Sequence, residues 1–103
     1  MNLNLVLEMA ADGYGERVAL GSRTGGLTFA ELARRAKAGG GALRAAGVGQ
    51  LVGLMRNGPT VPQALFAAAA AGIPFTPLNY RFTADRLAEL IACLDDPLVV
   101  VDA

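Results

Sequence analysis

The sequence predicts an α/β fold in three layers. A mainly parallel sheet is expected, with a small antiparallel hairpin near the N-terminus, as a partial subdomain of a larger fold. Two observations carry this. Residues 51–55, 73–78 and 98–101 are short, continuous apolar runs that alternate with helical patterns in the order α-β-α-β-α-β. Strands apolar on both faces and separated by helices belong in a parallel sheet covered on both sides, joined by right-handed crossovers. Ahead of them, two shorter runs flank Ser22-Arg23-Thr24-Gly25-Gly26, which is turn chemistry.

Residues 2–11 place Leu3, Val6, Leu7 and Ala10 at helical spacing, and Asp12-Gly13 supplies a stop. Residues 17–21 read as a strand, and residues 27–29 pair back on it. Thr28-Phe29-Ala30-Glu31 is a capping box. The Thr28 hydroxyl serves one free N–H, and Glu31 reaches back to another. This helix is predicted to run to about Ala46, with Gly47 as its stop. Gly39-Gly40-Gly41 lie inside it, each costing about 1 kcal/mol relative to alanine. Either another backbone approaches closely there or the helix breaks, and the sequence leaves both open.

After the first apolar strand, Asn57-Gly58-Pro59 turns the chain and Thr60 is placed to cap the next helix. Pro62 falls in its first turn, where a missing N–H costs little. Residues 64–71 are apolar all round, which predicts a buried helix ended by Gly72. Residues 79–82 form a loop after the second strand. Thr83 caps the last helix and Asp85 complements its positive end. Leu87, Leu90, Ile91 and Leu94 make the clearest amphipathic stripe in the chain. Asp95-Asp96-Pro97 ends it.

The chain has 103 residues, 53% hydrophobic and 17% charged, an apolar balance for one small domain. Such a domain buries roughly two-thirds of the surface its unfolded chain would expose. Part of the remaining surface is therefore expected to pack against further protein. Nine basic residues balance nine acidic ones, so no basic stripe suits nucleic acid and no polybasic segment suits anionic lipid. Residues 61–78 are apolar but contain Pro62, Gln63, Gly72, Pro74 and Pro77, a buried helix plus a strand instead of a membrane span. The first residues lack the basic region of a secretory signal, and Cys93 has no partner cysteine. A cytoplasmic location is expected. A sheet closing on Val99-Val100-Val101 would leave a hydrophobic edge, so the sequence is expected to be cut from something larger. Residues 1–103 are taken as one incomplete α/β segment.

Candidate chemistry is sparse. Gly47-x-Gly49-x-x-x-Gly53 has the outline of a dinucleotide-binding loop, but it follows a helix and enters a strand, the reverse of what pyrophosphate binding needs. Ser22-Arg23-Thr24-Gly25-Gly26 lacks the helix start of a phosphate cradle and reads as a turn. Asp95-Asp96 reads as a solvated helix end with no partner base. Cys93, at the border of the apolar stripe, is expected to be a small buried thiol. With no histidine in the chain, a Cys-His pair, a Ser-His-Asp triad and a histidine metal site are impossible, and one cysteine cannot build a thiolate zinc cluster. Arg56-Asn57 and Asn79-Tyr80-Arg81 follow strands, at the sheet end where open α/β folds bind ligands. Turn formation, helix capping or pairing of Arg81 with Asp85 explains them equally well, and structural roles are favoured.

Leu27-Thr28-Phe29-Ala30-Glu31-Leu32 resembles the first core motif of adenylate-forming (AMP-binding) enzymes, L-[TS]-[YF]-x-E-L. Residues 68–79, AAAAGIPFTPLN, resemble the second, and residues 52–67 are similar to the segment between them. Tyr80-Arg81-Phe82-Thr83 with Leu87 and Leu90 resembles the continuation usual in acyl-CoA synthetases, and residues 98–102 resemble the strand that follows. Proline followed by Asn79, where peptide-synthetase adenylation domains more often have Asp, leans toward acyl- or aryl-CoA ligases. Gly47 to Val52 is shorter than the family's usual segment and lacks its Asp, and the triple glycine stands where alanines are usual.

The resemblance implies a fatty-acid–CoA ligase type of enzyme. Such an enzyme converts a carboxylic acid and ATP to an acyl-adenylate and then passes the acyl group to coenzyme A. It implies ATP, Mg²⁺ and coenzyme A for the full-length family. The phosphate loop, the ribose-binding Asp and the mobile-domain Lys of that family have no counterpart here, and the one lysine, Lys37, lies within a helix. No catalytic, cofactor-binding or metal residue is therefore assigned. This segment is expected to be scaffold, inactive alone, with the remainder of the ligase chain as its partner. The other reading is a stand-alone binding or self-association module that uses an open sheet edge.

Overall fold

The computed structural model describes residues 3–22, 24–56, 58–79 and 81–101. In chain order these form α1 (Leu3–Tyr14), β1 (Val18–Leu20), β2 (Leu27–Thr28), α2 (Phe29–Ala45), β3 (Gln50–Leu54), α3 (Thr60–Ala71), β4 (Phe75–Pro77), α4 (Ala84–Ala92) and β5 (Pro97–Val101). The sequence readings that fall on Asn2, Arg23, Asn57, Tyr80 and Asp102 lie outside the described residues.

β1 and β2 pair antiparallel, with Val18 opposite Thr28 and Leu20 opposite Leu27. Thr28 ends β2 and caps α2. Its Oγ1 accepts the Glu31 N–H at 3.2 Å, while the Phe29 and Ala30 N–H groups donate to the Arg17 and Gly15 carbonyls, each at 3.0 Å. The Glu31 carboxylate does not follow the capping-box expectation. It accepts from the Thr28 hydroxyl at 3.0 Å instead. α1 likewise runs past Asp12-Gly13 to Tyr14. The Arg17 N–H closes the turn after it on the Tyr14 carbonyl at 2.9 Å, and the Arg17 guanidinium lies 4.8 Å from the Tyr14 ring centre.

α2 is unbroken through Gly39-Gly40-Gly41. The close-approach alternative is the one realised: a Cβ at Gly40 would lie 2.8 Å from the Ala70 Cβ of α3. α2 ends at Gly47 in the left-handed region (φ 69°). The Val48 N–H reaches the Leu43 carbonyl at 3.2 Å and the Gly47 N–H reaches Arg44 at 3.1 Å, the paired bonds of a Schellman stop. Gly72 ends α3 the same way, with Ile73 N–H to Ala68 at 3.0 Å. Thr60 is not a cap, contrary to expectation. It is the first residue of α3, and Pro59 precedes it with no side-chain capping bond. Gln63 Nε2 instead donates to the Pro59 carbonyl at 3.0 Å.

The three later strands form a parallel sheet in the order β4-β3-β5. β3 is central, and Val52 within it is 0% exposed. Leu51 and Met55 join Leu43 of α2 and Ala64, Ala68 and Ala71 of α3 in one core cluster. The chain leaves β3 for β4 on one side and returns across it to β5 on the other. A second cluster joins Leu7, Leu32 and Ala36 to the hairpin and to Phe66 of α3. Alanine and glycine let α2 and α3 pack closely, and α3 lies between the two clusters. α4 starts at Thr83, whose Oγ1 accepts the Arg86 N–H at 3.2 Å. None of its residues is buried. No helix among the described residues is long and apolar enough to cross a membrane.

Candidate functional site

The carboxyl ends of β3 and β4 lie side by side, tied by the Leu78 N–H to the Gly53 carbonyl at 2.8 Å. Arg56, Asn79 and Arg81 are exposed there, so the fold does bring these sequence candidates to one end of the sheet. Asn79 serves its own loop. Its Oδ1 accepts the Arg81 N–H at 2.9 Å and its carbonyl accepts the Phe82 N–H at 3.1 Å, an Asx turn. Among the described residues, no group of three His, Cys, Asp or Glu side chains could hold a metal ion.

Several helix-start N–H groups are already engaged within the chain. Phosphate binding at a helix N-terminus needs first-turn N–H groups left open to the ligand. Those of Phe29, Ala30 and Glu31 are taken by Arg17, Gly15 and Thr28. In α4, Arg86 and Leu87 donate to Thr83. In α3, Val61 donates to Gly58 at 3.3 Å and Pro62 has no N–H to give.

The other sequence motifs resolve as structure. Gly47, Gly49 and Gly53 form a helix stop, a turn and a strand position. Ser22 Oγ donates to the Thr24 carbonyl inside the hairpin turn. The backbone carbonyls of Asp95 and Asp96 accept from Gln50 Nε2 at 3.1 Å and from the Gly49 N–H at 2.9 Å, so this pair ties the turn before β5 to the start of β3. Asp96 sits at φ 45°, a region that Asp tolerates better than most residues. Cys93 corrects an expectation. It is exposed, because it caps the end of a helix that buries none of its residues.

Sequence reasoning did not single out a groove of about 680 Å³ between α1 and α2. Asn4, Glu8 and Asp12 line one side, and Arg34, Lys37 and Arg44 the other. The charges recur at helical spacing on each element, which is the only signal the sequence holds. How the two helices cross is not written in that spacing. Arg44 is engaged there structurally, with Nε donating to the Ala71 carbonyl at 3.2 Å.

This geometry defines a class first: an α/β unit whose parallel sheet presents an open end. The chain belongs to the AMP-binding enzyme family, whose model matches residues 7–103. A feruloyl-CoA synthase of Amycolatopsis sp is 41% identical over 69 residues, which are 64% of this chain and 14% of that enzyme. Among solved structures, the nonribosomal peptide synthetase FmoA3 with α-methyl-L-serine-AMP bound superposes at TM-score 0.88 and 24% identity. The match covers 100% of this chain and 12% of that one. A benzoate CoA ligase from Burkholderia xenovorans LB400 superposes at TM-score 0.79 and 20% identity, covering 100% and 26%. These two likenesses are of fold. The chain thus spans a small part of each relative's length and corresponds to part of a larger domain.

Proposed function

We propose that this chain is the amino-terminal scaffold of an acid–thiol ligase. That enzyme joins a carboxylate to the α-phosphorus of ATP with loss of pyrophosphate, then transfers the acyl group to the thiol of coenzyme A with loss of AMP. The family match over residues 7–103 carries this reading. The 41% identity to a feruloyl-CoA synthase supports it and makes an aromatic carboxylic acid the first substrate to test. ATP, Mg²⁺ and coenzyme A are then bound by residues outside this segment. Acyl-CoA metabolism in the cytoplasm fits a chain with one unpartnered cysteine.

The test is the intact mass of the product of the native locus, followed by acid-dependent ATP–pyrophosphate exchange with ferulic, benzoic and fatty acids. A mass several-fold above 10.6 kDa, with exchange driven by one of these acids, is the expected result. A product of 10.6 kDa without exchange overturns the reading and favours a stand-alone binding module.

A further inference from the structure

α1 divides its surface between two characters. Leu7 packs with Leu32 and Ala36 in the core, while Asn4, Glu8 and Asp12 form a polar row at i, i+4 and i+8 along one wall of the groove. Beside that row stand Leu5 and Met9, 48% and 65% exposed. Exposed apolar side chains are ordinarily scattered singly, yet Leu3, Val6 and Tyr14 of the same helix are exposed as well. The facing wall is basic. Arg34, Lys37 and Arg44 span about three turns of α2, and Ala33, Gly40 and Ala70 lie along the floor.

The two walls carry opposite charge and do not neutralise each other. Glu8 accepts from Asn4 Nδ2 at 3.3 Å, and Arg44 is held by the Ala71 carbonyl. Among the described residues, no ion pair joins Glu8 or Asp12 to Arg34 or Lys37. A two-fold interface requires one patch that complements itself. An acidic row beside a basic row meets that requirement, whereas a patch of one sign repels its own copy. We infer that the groove between α1 and α2 is a homodimer interface, in which each copy lays its α1 into the groove of the other. Glu8 and Asp12 of one copy then meet Arg34 and Lys37 of the other, and the two-fold returns the same contact. Leu5 and Met9 leave water over the small-residue floor, which lets the incoming helix approach closely. A patch of this length supports a reversible dimer, at the low end of specific interfaces. The inference does not depend on the ligase reading.

The test is sedimentation equilibrium on the polypeptide expressed from its native locus, with circular dichroism to check the fold of every variant. At about 100 µM the wild type is expected to be largely dimeric, its dissociation constant rising about tenfold or more between roughly 50 and 500 mM NaCl. Glu8→Lys combined with Asp12→Lys should give a monomer, and so should Arg34→Glu combined with Lys37→Glu, since each sets like charges against each other across the interface. An equimolar mixture of these two double variants should recover a dimer, because both two-fold contacts then join opposite charges. Met9→Glu, at a site too open to matter to the fold, should also give a monomer, and it decides the question if a charge-reversed variant does not fold. A monomeric wild type overturns the inference. So does a dimer that Met9→Glu and the charge reversals leave intact, or a mixture of folded double variants that stays monomeric.

Discussion

Gly40 and Gly41 are neighbours in sequence with opposite demands. A Cβ at Gly40 would meet the Ala70 Cβ at 2.8 Å and the α3 backbone at 3.1 Å, whereas a Cβ at Gly41 meets nothing within 4 Å. Gly40→Ala forces α2 away from α3, and overpacking of this kind costs about 1–3 kcal/mol, more than the roughly 1 kcal/mol that alanine returns in helix propensity. Gly41→Ala gives that propensity gain alone. Urea denaturation of the two variants should move their midpoints in opposite directions. Equal shifts would mean that the helices do not cross at Gly40. The sequence announced the anomaly of three glycines in a helix but not its cause, since helical spacing says nothing about which element crosses outside. Thr28 was more legible, because a cap is local. Thr28→Ala should cost about 1 kcal/mol and Thr28→Ser little, read from the same denaturation midpoints. The detail that failed is the Glu31 carboxylate, which accepts from the Thr28 hydroxyl and not from its backbone.

At the scale of elements, the order of signals in the sequence is inverted in the fold. α4 has the clearest amphipathic stripe and buries none of its residues. α3, nearly featureless alanine, lies at the centre, with Ala64, Ala68 and Ala71 buried. Periodicity reports which face of a helix is to be covered, and the cover itself belongs to whatever element lies opposite. The stripe of α4 is half-buried at Leu87, Leu90 and Ile91, so truncation there removes fewer contacts than truncation in β3. Leu51→Ala should cost about 2–5 kcal/mol, and Leu90→Ala clearly less. Comparable losses in thermal unfolding would show that α4 is packed as tightly as β3. The parallel sheet was legible because strands with two buried faces read as unbroken apolar runs. Their ends drifted by a residue or two, as at β4, where Pro74 and Leu78 lie outside the strand although both still hydrogen-bond to β3.

For the whole molecule, the sequence holds no counterpart of the family's phosphate loop, ribose-binding Asp or mobile-domain Lys, so the 103-residue chain alone should give no acid-dependent ATP–pyrophosphate exchange. Exchange above a no-enzyme blank would contradict the scaffold reading. The sequence placed Arg56, Asn79 and Arg81 correctly at one sheet end, because strand order and direction follow from the β-α-β pattern. It did not reveal the groove between α1 and α2, which depends on how two helices cross. The motifs that carried the family were folding motifs, and they were legible for that reason.

α3 sends Phe66 into the cluster beneath the hairpin and Ala64, Ala68 and Ala71 into the cluster on the sheet. Neither cluster can come apart without releasing a wall that the other also uses. Heating should therefore melt hairpin and sheet in one calorimetric transition, with equal van't Hoff and measured enthalpies. The seam of small residues between α2 and α3 then works as a mechanical coupling, making one cooperative unit of two small cores.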